Sequence, residues 1–250
     1  MRCGVVPTRF HIAAKDLRGD AATYAKRFDL LEVHTPSQAD LARAPSKATL
    51  RKWRRSVPPH FEFVVVAGPA VNRLKRTADL TADLAHTLAL VEILQARCVL
   101  LRTPPDVTPA GLWRDRMAKV LADLPTDATQ VVWEPSGLWE LEDAAAQAKK
   151  WSVTLATDPS RDAVPPGPVS YSRLRAMGEV RSFGPSALGR VIEAIGPRRD
   201  AYVVIETTSA LAECKELRKL AASAPRAAAG GMGRVLHPRS AGARPHAEEE

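Results

Sequence analysis

Charged side chains stand at the ends of several short, strongly apolar segments of the sequence. The segment QVVWEP places Glu134 before Pro135, CVLLR ends on Arg102, and LLEVH carries Glu32 and His34. A buried strand that ends on an unpaired charge is costly, because the charge loses its hydration. Each of these groups is therefore expected either to meet an opposite charge or to face a pocket in which a charge is useful.

Spacing indicates which of these side chains share a face. Successive side chains of a strand alternate between its two faces, so Tyr171, Arg173 and Arg175 point the same way, as do Glu32 and His34. Guanidinium groups bind carboxylates and phosphates through paired hydrogen bonds. Carboxylates serve as general acids and bases.

These residue types predict a polar site with two kinds of role. We expect Glu134 to pair with Arg173, which would neutralise a charge at a strand end. The candidate catalytic residues are Glu32 and Glu134. The candidate substrate-binding residues are His34, Arg102, Asp158, Tyr171, Arg173 and Arg175.

The chain alternates short apolar segments with longer amphipathic ones. The predicted strands are 2–6, 30–35, 61–67, 98–104, 130–135, 153–159, 169–178 and 202–208, most of them separated by a helix. This pattern is typical of parallel βαβ units and favours an α/β TIM-barrel-like fold, a closed (β/α)8-type parallel barrel. A doubly wound open sheet is the alternative, although no GxGxxG follows the first strand and no phosphate-binding GxxxxGK[ST] loop occurs. A barrel would gather the strand-end side chains at one mouth.

One domain and one tail are predicted. We expect residues 1–224 to form a single domain and residues 225–250, rich in Gly, Ala, Pro and Arg, to be a disordered C-terminal tail. The N-terminus has no signal-peptide pattern, and no stretch approaches the roughly 18 apolar residues of a membrane span. The three cysteines are scattered. These features predict a soluble cytoplasmic protein without a membrane partner.

The net charge of +8 suggests weak attraction to anions. Its densest clusters are RKWRR at 51–55 and NRLKR at 72–76. An arginine-rich surface without a partner is favoured, and a nucleic-acid or protein interface at these clusters is the alternative. A divalent metal on Glu32, His34 and Asp158 is a further alternative, but no HxH or HExxH spacing supports it, so no metal site is predicted.

Several segments together resemble the DUF72 family, also called YecE-like. AKRFDLLEVHT resembles an early strand of the family, with Glu32 at its acidic position. VVWEPSGLW resembles another, with Glu134 and Trp139, and VSYSRLRAMG resembles a third, with Arg173 at the arginine position. TLRKWRRSVPPHFEFVVVAGPAVNRLKR, LLRTPPDVTP and YVVIETTSALAECKELRKL resemble further blocks, in the family's order.

The chain departs from the family pattern at many polar positions. The pattern's residues are replaced by His34, Val66, Arg73, Arg102, Ser136, Arg175, Glu206 and Thr207. The resemblance therefore implies a divergent member with a TIM-barrel-like fold, and it implies no particular reaction.

The expected function is that of a barrel with an anion-friendly pocket. One hypothesis is a hydrolase or lyase that acts on a small anionic or phosphorylated substrate, with cofactors undetermined. The alternative is a catalytically degenerate barrel that binds nucleic acid or a protein. A metal-dependent endonuclease or isomerase is a third hypothesis, because such enzymes use His and carboxylates at barrel mouths.

Overall fold

The structure is a computed structural model that describes residues 7–15, 19–74, 78–124, 129–177 and 182–223. Within these ranges it contains eight strands that pair in parallel, in the order β1-β8-β7-β6-β5-β4-β3-β2. They are β1 (Arg9–Ala14), β2 (Leu30–His34), β3 (Glu62–Val66), β4 (Cys98–Arg102), β5 (Gln130–Glu134), β6 (Thr154–Thr157), β7 (Val169–Arg175) and β8 (Asp200–Glu206).

Helices cover the outside of the sheet. They are α1 (Ala21–Ala25), α2 (Lys47–Ser56), α3 (Pro69–Asn72), α4 (Ala78–Leu94), α5 (Gly111–Ala122), α6 (Leu141–Lys150), α7 (Pro185–Ile195) and α8 (Ala210–Ser223), with a 3-10 helix at Gln38–Arg43. A loop without a helix connects β6 to β7. No helix in the described ranges is long and apolar enough to cross a membrane.

The sheet curls into a nearly closed barrel, because its two end strands meet. The amide of Asp29, just before β2, donates to the carbonyl of Ile12 in β1 at 2.9 Å. The Asp29 carboxylate accepts from the Ile12 amide at 3.3 Å. The predicted TIM-barrel fold is thus confirmed, and the open doubly wound sheet is wrong.

The first strand of the barrel differs from the predicted one. The predicted segment 2–6 lies outside the described residues, and the position beside β8 is taken by Arg9–Ala14. This segment begins with a charged residue, Arg9. Arg9 stands in register with Asp200 of β8 and forms an ion pair with it. A strand can carry a charge where an opposite charge lies beside it. The predicted tail, 225–250, also lies outside the described residues, and the single-domain boundary stays a prediction.

The barrel interior is filled in layers. Its middle is apolar and includes Val64, Leu100, Val132, Val204 and Tyr171. The side chains of the other strand face pack against the helices. Because the middle of the barrel excludes water, the charged side chains that point inward lie above and below this apolar layer, at the two ends of the strands.

Two loops at the C-terminal ends of β4 and β5 are tied to each other. The indole N–H of Trp133 donates to the Thr103 hydroxyl at 3.0 Å, and the Ser136 hydroxyl donates to the Thr103 carbonyl at 2.6 Å. The loop after β5 needs Gly137, whose φ of 77° favours glycine. A Cβ at that position would lie 2.7 Å from the Cα of Pro105.

Replacing this glycine should therefore strain the mouth of the barrel. We expect Gly137→Ala to lower the free energy of unfolding by about 1–3 kcal/mol, because both the backbone angle and the contact with Pro105 are unfavourable. Denaturant titration measures the change. Gly189→Ala, in helix α7 where a Cβ meets nothing within 4 Å, is the matched control and should be neutral or stabilising. Equal stability of the two variants would contradict the role of the turn.

Candidate functional site

A buried arginine lies at the centre of the charged layer at the C-terminal ends of the strands. Arg173 of β7 is 2% exposed. Its Nη2 contacts the carboxylate of Glu32 on β2, and its Nη1 contacts that of Glu206 on β8. Its Nε lies 3.2 Å from Oε2 of Glu134 on β5, so the predicted Glu134–Arg173 pair is confirmed. One guanidinium group on β7 thus contacts carboxylates from β2, β5 and β8.

The carboxylates keep this buried guanidinium charged. Burial alone would lower the pKa of Arg173, but the charges of Glu32 and Glu134, followed by that of Glu206, outweigh burial and raise it above its usual value. The Tyr171 hydroxyl donates to Glu32. Burial and then the charge of Glu32 hold the pKa of Tyr171 well above its usual value, so this phenol is a neutral donor. Together these contacts fix the carboxylate of Glu32 below the mouth.

A second set of charges lies above Arg173, nearer to solvent. Arg102 and Arg175 have side chains that are 33% and 34% exposed. Both meet Glu134: the Nε of Arg102 lies 3.0 Å from Oε2, and the Nη2 of Arg175 contacts Oε1. The Nε of Arg175 also lies 3.4 Å from Oε2 of Glu206, and Nζ of Lys15 lies 4.0 Å from the same oxygen. Arg175 therefore links two carboxylates across the mouth.

The charges around Glu206 favour its ionised form. Burial alone would raise the pKa of Glu206, but the charge of Arg173, a hydrogen bond from it, and the charges of Arg175 and Lys15 outweigh burial and hold this pKa below its usual value. The carboxylate of Glu206 is thus a stabilising partner of the buried arginine as long as it is deprotonated.

A pocket of about 440 Å³ opens over this network. Its polar wall includes His34, Asn72, Arg102, Glu134, Ser136 and Arg175. The Nε of Arg102 contacts Glu134, and the terminal nitrogens of Arg102 donate no hydrogen bond to a described residue. The Nη1 of Arg175 is likewise without one in the described ranges. The pocket thus presents guanidinium donors that a ligand can use.

The backbone beside the pocket is held by Asn72. Its side-chain oxygen accepts from the amide of Arg102 at 2.8 Å, and its side-chain nitrogen donates to the carbonyl of Ala67 at 2.7 Å. Asn72 therefore links the end of β4 to the end of β3. Sequence reasoning placed this residue in a basic surface cluster and missed its position at the mouth.

The predicted site residues divide into three groups. His34, Arg102, Glu134 and Arg175 line the pocket. Glu32, Tyr171 and Arg173 are buried beneath it and are joined to each other. The carboxylate of Asp158 turns into its own loop, where it accepts from the amide and hydroxyl of Ser160 at 3.0 and 2.6 Å and from Arg161 Nη2 at 3.0 Å.

Two alternatives from the sequence gain no support. In the part of the chain that the structure describes, no group of three or more His, Cys, Asp or Glu side chains could hold a metal ion, so Glu32, His34 and Asp158 do not form the metal set considered above. In the cluster at 51–55, Arg54 is engaged within the fold, because it donates to the carbonyls of Phe61 and Pro58 at 3.0 and 2.8 Å. The end of the cluster at 72–76 lies outside the described residues.

Comparison with known proteins identifies the family. The model of the family described as "Protein of unknown function DUF72" matches residues 15–230. The chain belongs to the DUF72 family. No curated protein matches the sequence.

Solved structures agree with the DUF72 assignment. A DUF72 family protein from Enterococcus faecalis V583 has a TM-score of 0.66 at 12% identity, over 85% of this chain and 95% of its own. One from Thermotoga maritima MSB8 has a TM-score of 0.61 at 14% identity, over 85% and 98%. A xylose isomerase domain containing protein from Salmonella typhimurium LT2 has a TM-score of 0.56 at 14% identity, over 88% and 97%. At these identities the likeness shows the fold alone.

The departures of this DUF72 chain from the family pattern gather at the pocket. Five of the replaced positions, His34, Val66, Arg102, Ser136 and Arg175, line it. The positions that match the pattern, Glu32, Glu134 and Arg173, form the ion pairs beneath and beside it. Glu206, a further replaced position, contacts Arg173, so the departures also reach the charged residues beneath the pocket.

The network predicts a specific dependence of stability on pH. The pKa of Glu206 is lower in the folded protein than in the unfolded chain, where it is near 4.5. The stability that Glu206 contributes is therefore fully present above pH 4.5 and is lost as the pH falls through the pKa of the folded protein. We expect Glu206→Gln to be less stable than wild type at pH 7 and to lose less stability between about pH 5 and pH 3. Urea titrations at several pH values measure this difference. Parallel pH curves for the two proteins would contradict it.

Proposed function

We propose that the pocket at the barrel mouth binds a small ligand that carries a phosphate or carboxylate group. The observation that supports this most strongly is the pair Arg102 and Arg175, whose unpartnered guanidinium nitrogens belong to the wall of a 440 Å³ pocket. Arginine presents its donors in a planar fork that matches the oxygens of such groups. The hydroxyl of Ser136 and the imidazole of His34 supply further polar contacts.

Anion binding would change the partners of Glu134. In the structure Arg102 and Arg175 both contact this carboxylate. A bound oxyanion competes with Glu134 for the same guanidinium groups, and each contact that it takes leaves an oxygen of Glu134 less engaged. The ligand thus prepares Glu134 to accept a proton, and Arg173 keeps the carboxylate in place from below.

The reaction class that fits these groups is hydrolysis or elimination on an anionic or phosphorylated substrate. Glu134 is the carboxylate of the predicted catalytic pair that lines the pocket, and His34 in the pocket wall carries an imidazole, a second side chain of the general acid–base type. Glu32 lies beneath Arg173 and acts here as its charge partner. The proposal depends on these side chains and not on the fold, because one barrel fold serves many reactions.

Phosphate binding tests the pocket directly. Isothermal titration and thermal shift with inorganic phosphate and small phosphate esters should show saturable binding to the wild type. A ligand at a hundred times its dissociation constant should add about 2.7 kcal/mol to the free energy of unfolding. Arg102→Gln should weaken binding roughly tenfold or more, because a charge-assisted hydrogen bond is lost. The control is Arg190→Gln, which removes a positive charge from an exposed position on α7. This variant should bind phosphate like wild type.

Glu134→Gln should change the affinity for phosphate in the opposite direction from Arg102→Gln in the same titration. Removing this carboxylate releases Arg102 and Arg175 from their present partner, so phosphate should bind more tightly than it does to wild type. The same variant should lose turnover of any phosphate ester that the wild type consumes. Equal weakening by Arg102→Gln and Arg190→Gln, or weaker phosphate binding by Glu134→Gln, would overturn the proposal.

A further inference from the structure

A second charged cavity, of about 470 Å³, lies at the opposite, N-terminal end of the barrel. Its wall includes Arg9, Arg97, Gln130, Ser152 and Arg199, with Tyr202 and Asp200 among the residues that line it. The strands begin at this end, so the cavity is separated from the mouth pocket by the apolar middle of the barrel.

The three arginines are held at fixed positions by the backbone. Arg9 begins β1, and its amide donates to the carbonyl of Arg199 at 3.1 Å. Arg97 directly precedes β4, and its carbonyl accepts from the amide of Gln130 at 2.7 Å. The main chain of the barrel thus brings three guanidinium-bearing residues to one cavity, while their side chains stay 58%, 62% and 62% exposed for Arg9, Arg97 and Arg199.

The cavity carries more positive than negative charge. The buried carboxylate of Asp200 meets Nη2 of Arg9 at 2.8 Å, Nε of Arg199 at 2.8 Å and Nε2 of His11 at 3.3 Å. The carboxylate of Glu62 meets Nη1 of Arg97 at 3.3 Å. Two carboxylates therefore face three guanidinium groups.

Most of the arginine donors remain available. Among the described residues, the hydrogen bonds of these side chains come from Nη2 of Arg9 and Nε of Arg199, both to Asp200, and the remaining guanidinium nitrogens donate none. The pKa of Asp200 is held below its usual value, since hydrogen bonds from Arg199, His11 and Arg9 outweigh the effect of burial, which would raise it. The carboxylate is thus a fixed anchor for Arg9 and Arg199, and it leaves their remaining donors directed to solvent or to a ligand.

We infer that this cavity is a second binding site, for a multivalent oxyanion that carries at least two linked phosphate groups. A single phosphate is satisfied by one or two guanidinium groups, whereas a chain of phosphates can reach all three arginines and the polar groups of Gln130 and Ser152. The site differs from the mouth pocket in residues and in position. Its existence does not depend on the function proposed for the mouth.

The test compares inorganic phosphate, pyrophosphate and inorganic triphosphate by isothermal titration at fixed ionic strength, without added metal. Wild type should bind pyrophosphate and triphosphate more tightly than orthophosphate at this site. The double variant Arg97→Gln/Arg199→Gln should lose at least roughly tenfold in affinity for triphosphate. Both side chains are largely exposed, so the variant should fold, and its thermal transition confirms this.

Two controls locate the site. Arg190→Gln should leave triphosphate affinity unchanged. Arg102→Gln, which weakens phosphate binding in the mouth pocket, should retain the separate triphosphate-binding event that the double variant loses. Loss of binding in Arg102→Gln with none in the double variant would place the anion in the mouth and overturn this inference. No binding by wild type, equal affinities for orthophosphate and triphosphate, or an equal loss in Arg190→Gln would also overturn it.

The same titration separates two sources of the phosphate chain. Equal affinities for inorganic triphosphate and a nucleoside triphosphate would support an inorganic anion as the ligand. At least roughly tenfold tighter binding of the nucleotide, which is again lost in the double variant, would support a nucleotide whose nucleoside part adds contacts at the cavity.

Discussion

The mouth of this barrel depends on one buried guanidinium group. Arg173 lies almost completely out of water, above an apolar layer that cannot hydrate it, and its charge is balanced by Glu32, Glu134 and Glu206. The dependence is mutual, because a carboxylate buried without its partner is as costly as the arginine would be. The ends of β2, β5, β7 and β8 are therefore held together by charge as well as by the hydrogen bonds of the sheet.

This arrangement separates support from recognition. The buried pairs fix where Glu134 lies, and Arg102 and Arg175 add a second set of contacts to it from the solvent side. Those two arginines have guanidinium nitrogens that donate no hydrogen bond to a described residue. A ligand can bind these nitrogens without displacing Arg173 from its carboxylate partners. Of the positions that depart from the pattern this chain resembles, His34, Arg102 and Arg175 lie on the ligand side, whereas Glu206 is one of the carboxylates that support Arg173.

Much of the fold followed from the pattern of apolar segments, because near-continuous apolar strands alternate with amphipathic helices. The first strand was not predicted because it begins with a charged residue, Arg9. The partner that neutralises this charge, Asp200, is distant in sequence. The pairing of Glu134 with Arg173 was predictable, since both stand at strand ends that a barrel brings together. The position of Asn72 at the mouth was not predictable, since its role is to hold the backbone of Arg102. The local partners of Asp158 were also not predictable from its position at a strand end, because they come from the following Ser160 and Arg161.

The most direct measurement of the central claim is a double-mutant cycle on Arg173 and Glu32, followed by denaturant unfolding at neutral pH. Arg173→Met should lower the free energy of unfolding by about 3–5 kcal/mol, because it leaves buried carboxylates uncompensated. Glu32→Gln added to that variant should restore part of the loss, with a coupling energy of at least about 1 kcal/mol. An Arg173→Met protein as stable as wild type, or losses that simply add, would contradict the account.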